Sequence, residues 1–149
     1  MNKKQHTLNA SIELQGVGLH TGENVKVIIE PAAENHGYKF QRTDIEGEPI
    51  IPADADLVVS TERGTTLEKN GAKVNTTEHL LAALYGMQVD NVLIKLDGAE
   101  IPIMDGSALP FVEAIESIGL KEQAAEREYF EFKENRPFED LEKGVEMLG

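Results

Sequence analysis

Cysteine is absent from the 149 residues, which excludes a disulfide framework and any thiolate metal site. Basic residues are scarce: 14 Lys and Arg stand against 27 Asp and Glu, a net charge of −13. So acidic a chain has little with which to neutralise a phosphate backbone, which speaks against nucleic-acid binding. No stretch approaches the roughly 20 apolar residues that a transmembrane helix needs. The opening MNKKQHTLNA has two lysines but no apolar run behind them, so it does not read as a secretory signal. Internal repeats and low-complexity tracts are missing too. A soluble, cytoplasmic protein is the expectation.

What is present suits one domain, or one domain and the start of another. The 40% of hydrophobic residues supplies a core. From Leu8 to Leu14 apolar and polar residues alternate, the period of a half-buried strand. Gly16, Gly18 and Gly22 then mark a turn, and Val25 to Glu30 reads as a second strand stopped by Pro31. Tyr38, Phe40 and Arg42 suggest a third, and Pro49 and Pro52 an irregular connection. Leu57 to Leu67 and Ala72 to Val74 read as short strands, with a hairpin turn at Asn70-Gly71. A helix is expected from about Thr76 to Met87, and a β-branched strand from Val92 to Leu96. A second helix follows Ser107, a good N-cap, with Phe111, Val112, Ile115 and Ile118 at helical spacing and Gly119 at its close. KEQAAERE, from Lys121, reads as a linker or helix tail, and Tyr129, Phe130, Phe132 and Val145 to Leu148 as two further strands. Strands in runs with two late helices predict an α+β fold, a mostly antiparallel sheet with both helices on one face. Residues 1–122 form the expected first domain, and 123–149 a linker with the opening strands of an incomplete second one.

The first helix opens with a carboxylate beside an imidazole, Glu78 and His79, the latter being the last histidine of the chain. One reading is a capping box, with Asn75 as N-cap and Glu78 three residues on, each bonding the other's backbone N–H. The other is chemical. A helix N-terminus favours a carboxylate and disfavours a cationic imidazolium by about 0.3–1 kcal/mol each. An ionised carboxylate can serve as general base, and an uncharged imidazole can bind zinc. Adjacent helical side chains diverge by about 100°, so the two would not chelate one ion. Spacing alone leaves both readings open. Ala83 and Gly86 lie at i+4 and i+7 from His79, a small-residue face suited to close approach by another backbone or to ordinary packing. His20 sits among the glycines of GVGLHTG, a loop that is not GxGxxG and precedes no helix, so a dinucleotide site is not expected. Asp105, before Gly106 in PIMDGSALPF, suits a turn and helix capping.

GVGLHTG, the Arg42-Thr43-Asp44 triplet, TTEHLLAAL, VDNVLIKLDGAEIPIMDGSA and the following Pro110-Phe111 together resemble the N-terminal half of the UDP-3-O-acyl-N-acetylglucosamine deacetylases. The resemblance covers roughly residues 5–118 in order and spacing. It implies two similar α+β domains packed helix to helix, with the small face of the first helix as their seam. It also implies a zinc hydrolase that removes acetate from an acylated UDP-sugar, the committed step of lipid A synthesis in Gram-negative bacteria. In the family's TxEH motif the glutamate is the general base and the histidine binds zinc, positions held here by Glu78 and His79. The base would take a proton from a water whose pKa zinc lowers from about 15.7 toward about 7, then pass it to the leaving amine. His20 and Asp105 match other family motifs and are expected to support the site. The STERGTT loop, with Thr61, Arg63 and Gly64, matches the family's substrate entrance, although Arg63 and Gly64 stand where apolar residues would be expected.

The family's remaining zinc ligands, from a later HKxxD motif, and a further assisting histidine are not in this sequence. The resemblance therefore implies that a missing C-terminal domain completes the zinc site. A non-catalytic α+β binding or scaffolding module is the competing expectation. On the first reading the 149-residue chain is expected to fold, yet neither to hold zinc tightly nor to deacetylate. Metal-dependent acetate release by this chain alone would refute that.

Overall fold

The computed structural model describes residues 3–60 and 65–127. Ten strands and two α-helices follow one another in those residues. The first five strands are β1 (Lys4–Leu8), β2 (Ile12–Val17), β3 (Asn24–Pro31), β4 (Tyr38–Arg42) and β5 (Ile50–Pro52). After a 3-10 turn come β6 (Val58–Ser60), β7 (Thr66–Lys69), β8 (Ala72–Val74) and helix α1 (Glu78–Gly86). Strand β9 (Val92–Leu96), helix α2 (Leu109–Ile118) and strand β10 (Leu120–Glu126) complete the unit. The architecture is α+β, as the pattern predicted.

The main sheet has the order β2-β3-β9-β4-β5. Every pair in it is antiparallel except β4 with β9, which run parallel with Phe40 opposite Ile94. A parallel pair needs a long crossover, and residues 43–91 provide it. That crossover carries the small sheet β6-β7-β8 and helix α1. Strands β3 and β9 show the expected alternation, and Val25, Val27, Ile29, Val92, Ile94 and Leu96 are all buried. Helix α1 adds Leu80, Ala83 and Leu84 to the core, and α2 adds Phe111 and Ile115. Each large side chain buried this way contributes about 1.5–3 kcal/mol. The Asn70-Gly71 hairpin is present, both residues having positive φ (53° and 86°), as a type I′ turn requires.

Three expectations are corrected. The alternating run from Leu8 to Leu14 is not one strand, because the chain changes sheets between Leu8 and Ile12: β1 pairs with β10, and β2 with β3. The segment around Pro49 and Pro52 includes β5, an edge strand, where a proline removes no needed ladder bond. KEQAAERE is neither linker nor helix tail through residue 126. It belongs to β10, which pairs antiparallel with β1 and spans the division expected between residues 122 and 123. Tyr129, Phe130, Phe132 and Val145 to Leu148 lie outside the described residues.

Polar side chains fasten β10. Asn91 is buried, and its side-chain amide donates to Gln5 Oε1 (2.9 Å) and Gln123 Oε1 (2.8 Å). The Asp90 carboxylate accepts from the His6 backbone N–H (2.7 Å) and, through both oxygens, from the Arg127 guanidinium (2.9 Å each). Asp90→Ala leaves these donors without their charged acceptor and is expected to cost about 2 kcal/mol. Urea unfolding monitored by circular dichroism checks it, with an unchanged m-value as the sign that only stability has moved.

Candidate half-site at the mouth of the first helix

The chain enters α1 through a buried pair, Thr76 and Thr77. Thr76 has φ 60°, a left-handed conformation that a β-branched residue adopts only under constraint. The backbone of Asn75 bridges to the segment at Glu100: its N–H donates to Ala99 O (2.8 Å), and its carbonyl accepts from Ile101 N–H (3.1 Å). The capping box does not form. Thr77 is the N-cap and makes no side-chain cap bond. Asn75 Oδ1 instead accepts from the Thr66 hydroxyl (2.8 Å), and Glu78 Oε1 accepts the backbone N–H of Thr65 (3.0 Å). Pairing of Asn75 with the Glu100 segment draws it out of capping position. Glu78 is thus oriented from β7's entrance rather than by its own helix.

Glu78 and His79 are both half-buried. Asp105 is exposed, and its carboxyl is held below the ordinary range. The Ser107 hydroxyl bond (2.7 Å) is the main cause, the Ser107 N–H (2.9 Å) adds to it, and His79 makes a smaller contribution. Ser107 Oγ in turn accepts the N–H of Leu109 in the first turn of α2 (3.2 Å). Ser107 is not the N-cap expected of it: Ala108 holds that position, and Ser107, one residue earlier, still accepts a first-turn N–H.

The His20 turn reaches the same place through a residue whose role sequence reasoning missed. Glu100 is fully buried. Its carboxylate accepts from the backbone N–H of His20 (3.2 Å to Oε1, 3.0 Å to Oε2) and of Thr21 (3.0 Å to Oε1). Thr76 Oγ1 donates to Oε2 at 2.9 Å. Burial alone would raise the Glu100 pKa, but the bonds from His20, Thr21 and Thr76 together outweigh it and hold the carboxyl below its ordinary value. Gly18 explains how the turn comes so close. A Cβ there would run into Glu100 Oε1 and stand 2.6 Å from Thr21 Oγ1.

Glu78 and His79 thus open α1, and the backbone of the His20 turn is tied to the same entrance through Glu100, His20 itself being exposed. Thr61, Arg63 and Gly64 lie outside the described residues. The small-residue face is only half as expected: Ala83 is turned into the core, while Gly86 is exposed together with Ala82 and Tyr85. A groove of about 630 Å³ lies between β1, β10 and the end of β3, and shares no lining residue with the helix mouth. Chemistry, not hollow volume, picks out the site. Among the described residues no group of three or more His, Cys, Asp or Glu side chains is gathered to hold a metal ion. The donor set fits one corner of a zinc site, the His79 imidazole, and not the whole of it.

An α+β domain that presents a carboxylate and an imidazole at one helix mouth is the class of protein the geometry defines. Comparison with known proteins narrows it. The family model described as UDP-3-O-acyl N-acetylglycosamine deacetylase matches residues 5–148, and the chain belongs to that family. It is 49% identical over 145 residues to the "Bifunctional enzyme LpxC/FabZ" of Bacteroides thetaiotaomicron, a match covering 97% of this chain and 32% of that protein. It is 51% identical over 124 residues to the "UDP-3-O-acyl-N-acetylglucosamine deacetylase" of Myxococcus xanthus, covering 83% of this chain and 40% of the relative. For the protein of the same name from Shewanella violacea the figures are 46% over 144 residues, 96% and 47%. The chain thus spans a third to a half of the length of these relatives. No helix among the described residues is long and apolar enough to cross a membrane.

Gly18→Ala is expected to destabilise the domain by about 1–3 kcal/mol, since the new methyl must displace a buried carboxylate. Glu100→Gln is expected to cost about 2 kcal/mol at neutral pH. Because the folded-state pKa of Glu100 is depressed, its charge stabilises the fold fully above the ordinary carboxylate value, about pH 4.3. That contribution is lost as pH falls through the lower folded-state value. The stability gap between wild type and Glu100→Gln should therefore narrow as urea titrations move down through that window.

Proposed function

We propose that this chain is the first of two domains of a zinc-dependent deacetylase that removes the N-acetyl group from UDP-3-O-acyl-N-acetylglucosamine. The single observation that carries the reading is the adjacency of Glu78 and His79 at the mouth of α1, in a chain of this family. The names of the relatives and their greater length support the substrate class and the second domain, which would follow residue 127.

In this reading the two side chains divide the work. Thr65 N–H fixes Glu78 through Oε1. The second carboxylate oxygen then accepts the proton of an attacking water and later returns it to the departing amine. His79 would hold one coordination position of zinc, and the second domain would have to supply the other donors. Zinc, when bound, supplies an acidified water and a polarised amide carbonyl. Asp105, whose own carboxylate is held by Ser107, and His20, on the turn tied to Glu100, are assigned to support of the site.

The test uses the protein extended to the length of its relatives, assayed for acetate release alongside zinc content. Glu78→Ala is expected to retain zinc and lose turnover by about 10²–10⁴-fold, whereas His79→Ala loses both. Near-wild-type turnover in Glu78→Ala would overturn the assignment.

A further inference from the structure

Glu100 has no part in the chemistry proposed above, yet it is bonded both to the His20 turn and to the strained entrance of α1. We propose that Glu100 is a positioning residue whose buried carboxylate clamps these two segments together. The clamp sets where the His20 imidazole stands relative to Glu78 and His79. The inference rests on the deacetylase reading for its catalytic consequence, though not for the clamp itself.

Saturation of the carboxylate argues against a direct role. Oε1 accepts from the N–H groups of His20 and Thr21, and Oε2 from His20 N–H and the Thr76 hydroxyl. With the side chain fully buried, neither oxygen is presented to a substrate. The buried charge is balanced by neutral donors, and among the described residues no Lys or Arg pairs with it. Such an arrangement holds only while all the donors converge. Convergence in turn requires the left-handed backbone of Thr76, two residues before Glu78, and the missing Cβ of Gly18, two residues before His20. These two backbone irregularities thus point at the same carboxylate.

A carboxylate also does here what an amide cannot. Glutamine in its place offers one acceptor oxygen to the backbone N–H groups, which cannot turn away. Its NH2 then faces Thr76, whose hydroxyl must rotate from donor to acceptor. Glu100→Gln therefore loosens the clamp without emptying the site, and Thr76→Val cuts one arm while keeping the β-branched shape. Thr76→Ser keeps the donor.

The experiment has two arms. In the protein extended to the length of its relatives, Thr76→Val and Glu100→Gln are each expected to lower kcat by about 10–100-fold with KM changed less than about threefold, a pattern of lost alignment rather than lost binding. Thr76→Ser restores most of the rate, and the double variant falls no further than the worse single one. Ile94→Val, a core change of comparable small destabilisation, leaves kcat unaltered. In the 149-residue chain, amide hydrogen exchange at His20 and Thr21 is expected to quicken about tenfold or more in both clamp variants, while Phe40 and Ile94 keep their protection. Falls in kcat no greater than that of Ile94→Val, or no rescue by Thr76→Ser, would overturn the positioning role. Unchanged exchange at His20 and Thr21 would overturn the clamp. An inactive wild type would overturn the deacetylase reading and the catalytic consequence with it, leaving the exchange arm to decide whether the clamp exists.

Discussion

One buried negative charge organises this half of the molecule. Burying a carboxylate is costly unless its hydrogen-bonding capacity is met, and Glu100 is met by donors from two distant segments, the turn at His20 and Thr21 and the entrance at Thr76. The cost of burial is what gives the arrangement its selectivity. Any displacement of turn or helix leaves an unpaired charge in a dry place, so intermediate positions are disfavoured. Helix α1, anchored by Leu80 and Leu84, could slide or tilt slightly on hydrophobic packing alone, since apolar contacts are not directional. Directional bonds to Glu100 remove that slack at the end that bears Glu78 and His79.

The helix mouth also shows how a small domain separates stability from chemistry. Glu78 leaves the capping of its own helix undone and takes its bond from Thr65, while the entrance residue Thr76 is held in a left-handed conformation. Local strain and a missing cap each cost about 1–3 kcal/mol. The main sheet, with Val27, Ile29, Phe40 and Ile94 fully buried, offsets them. The left-handed Thr76 and the missing cap both lie where the proposed acid–base chemistry lies, whereas Asn35, Glu48, Asn70 and Gln88 take positive φ outside the strands and helices.

Much of the sheet was legible because its residues answer to their immediate neighbours. The alternation in Val25 to Glu30 and the β-branched run from Val92 specify strands wherever they are placed, and Asn70-Gly71 specifies its turn. Helix α2 declared itself through Phe111, Ile115 and Gly119. Strand β10 did not. Its half-buried position 123 is a glutamine that bonds Asn91 and the carbonyl of Ala32, so the polar sequence hides a paired strand. Glu78 and His79 could be read from composition and position, but the choice between capping and chemistry could not. The capping box is excluded by Thr65 and Thr66, whose bonds to Glu78 and Asn75 depend on the β7–β8 hairpin. Glu100 was invisible for a stronger reason: its partners lie 24 and 80 residues away. A glutamate flanked by Ala99 and Ile101, ahead of a proline, carries only the faint signal of a charge in apolar company.

The parallel pairing of β4 with β9 has a bearing on the order of events during folding. Those strands cannot meet until everything from residue 43 to residue 91 has been made and looped back, and closing so long a loop is slow relative to local hairpins. The helix that bears Glu78 and His79 travels inside that loop, while the His20 turn belongs to the hairpin before it. Neither piece has its counterpart until the central strand zips into place. A nascent domain therefore has no stage at which the mouth is partly assembled: the helix entrance and the His20 turn come together only with closure of the sheet.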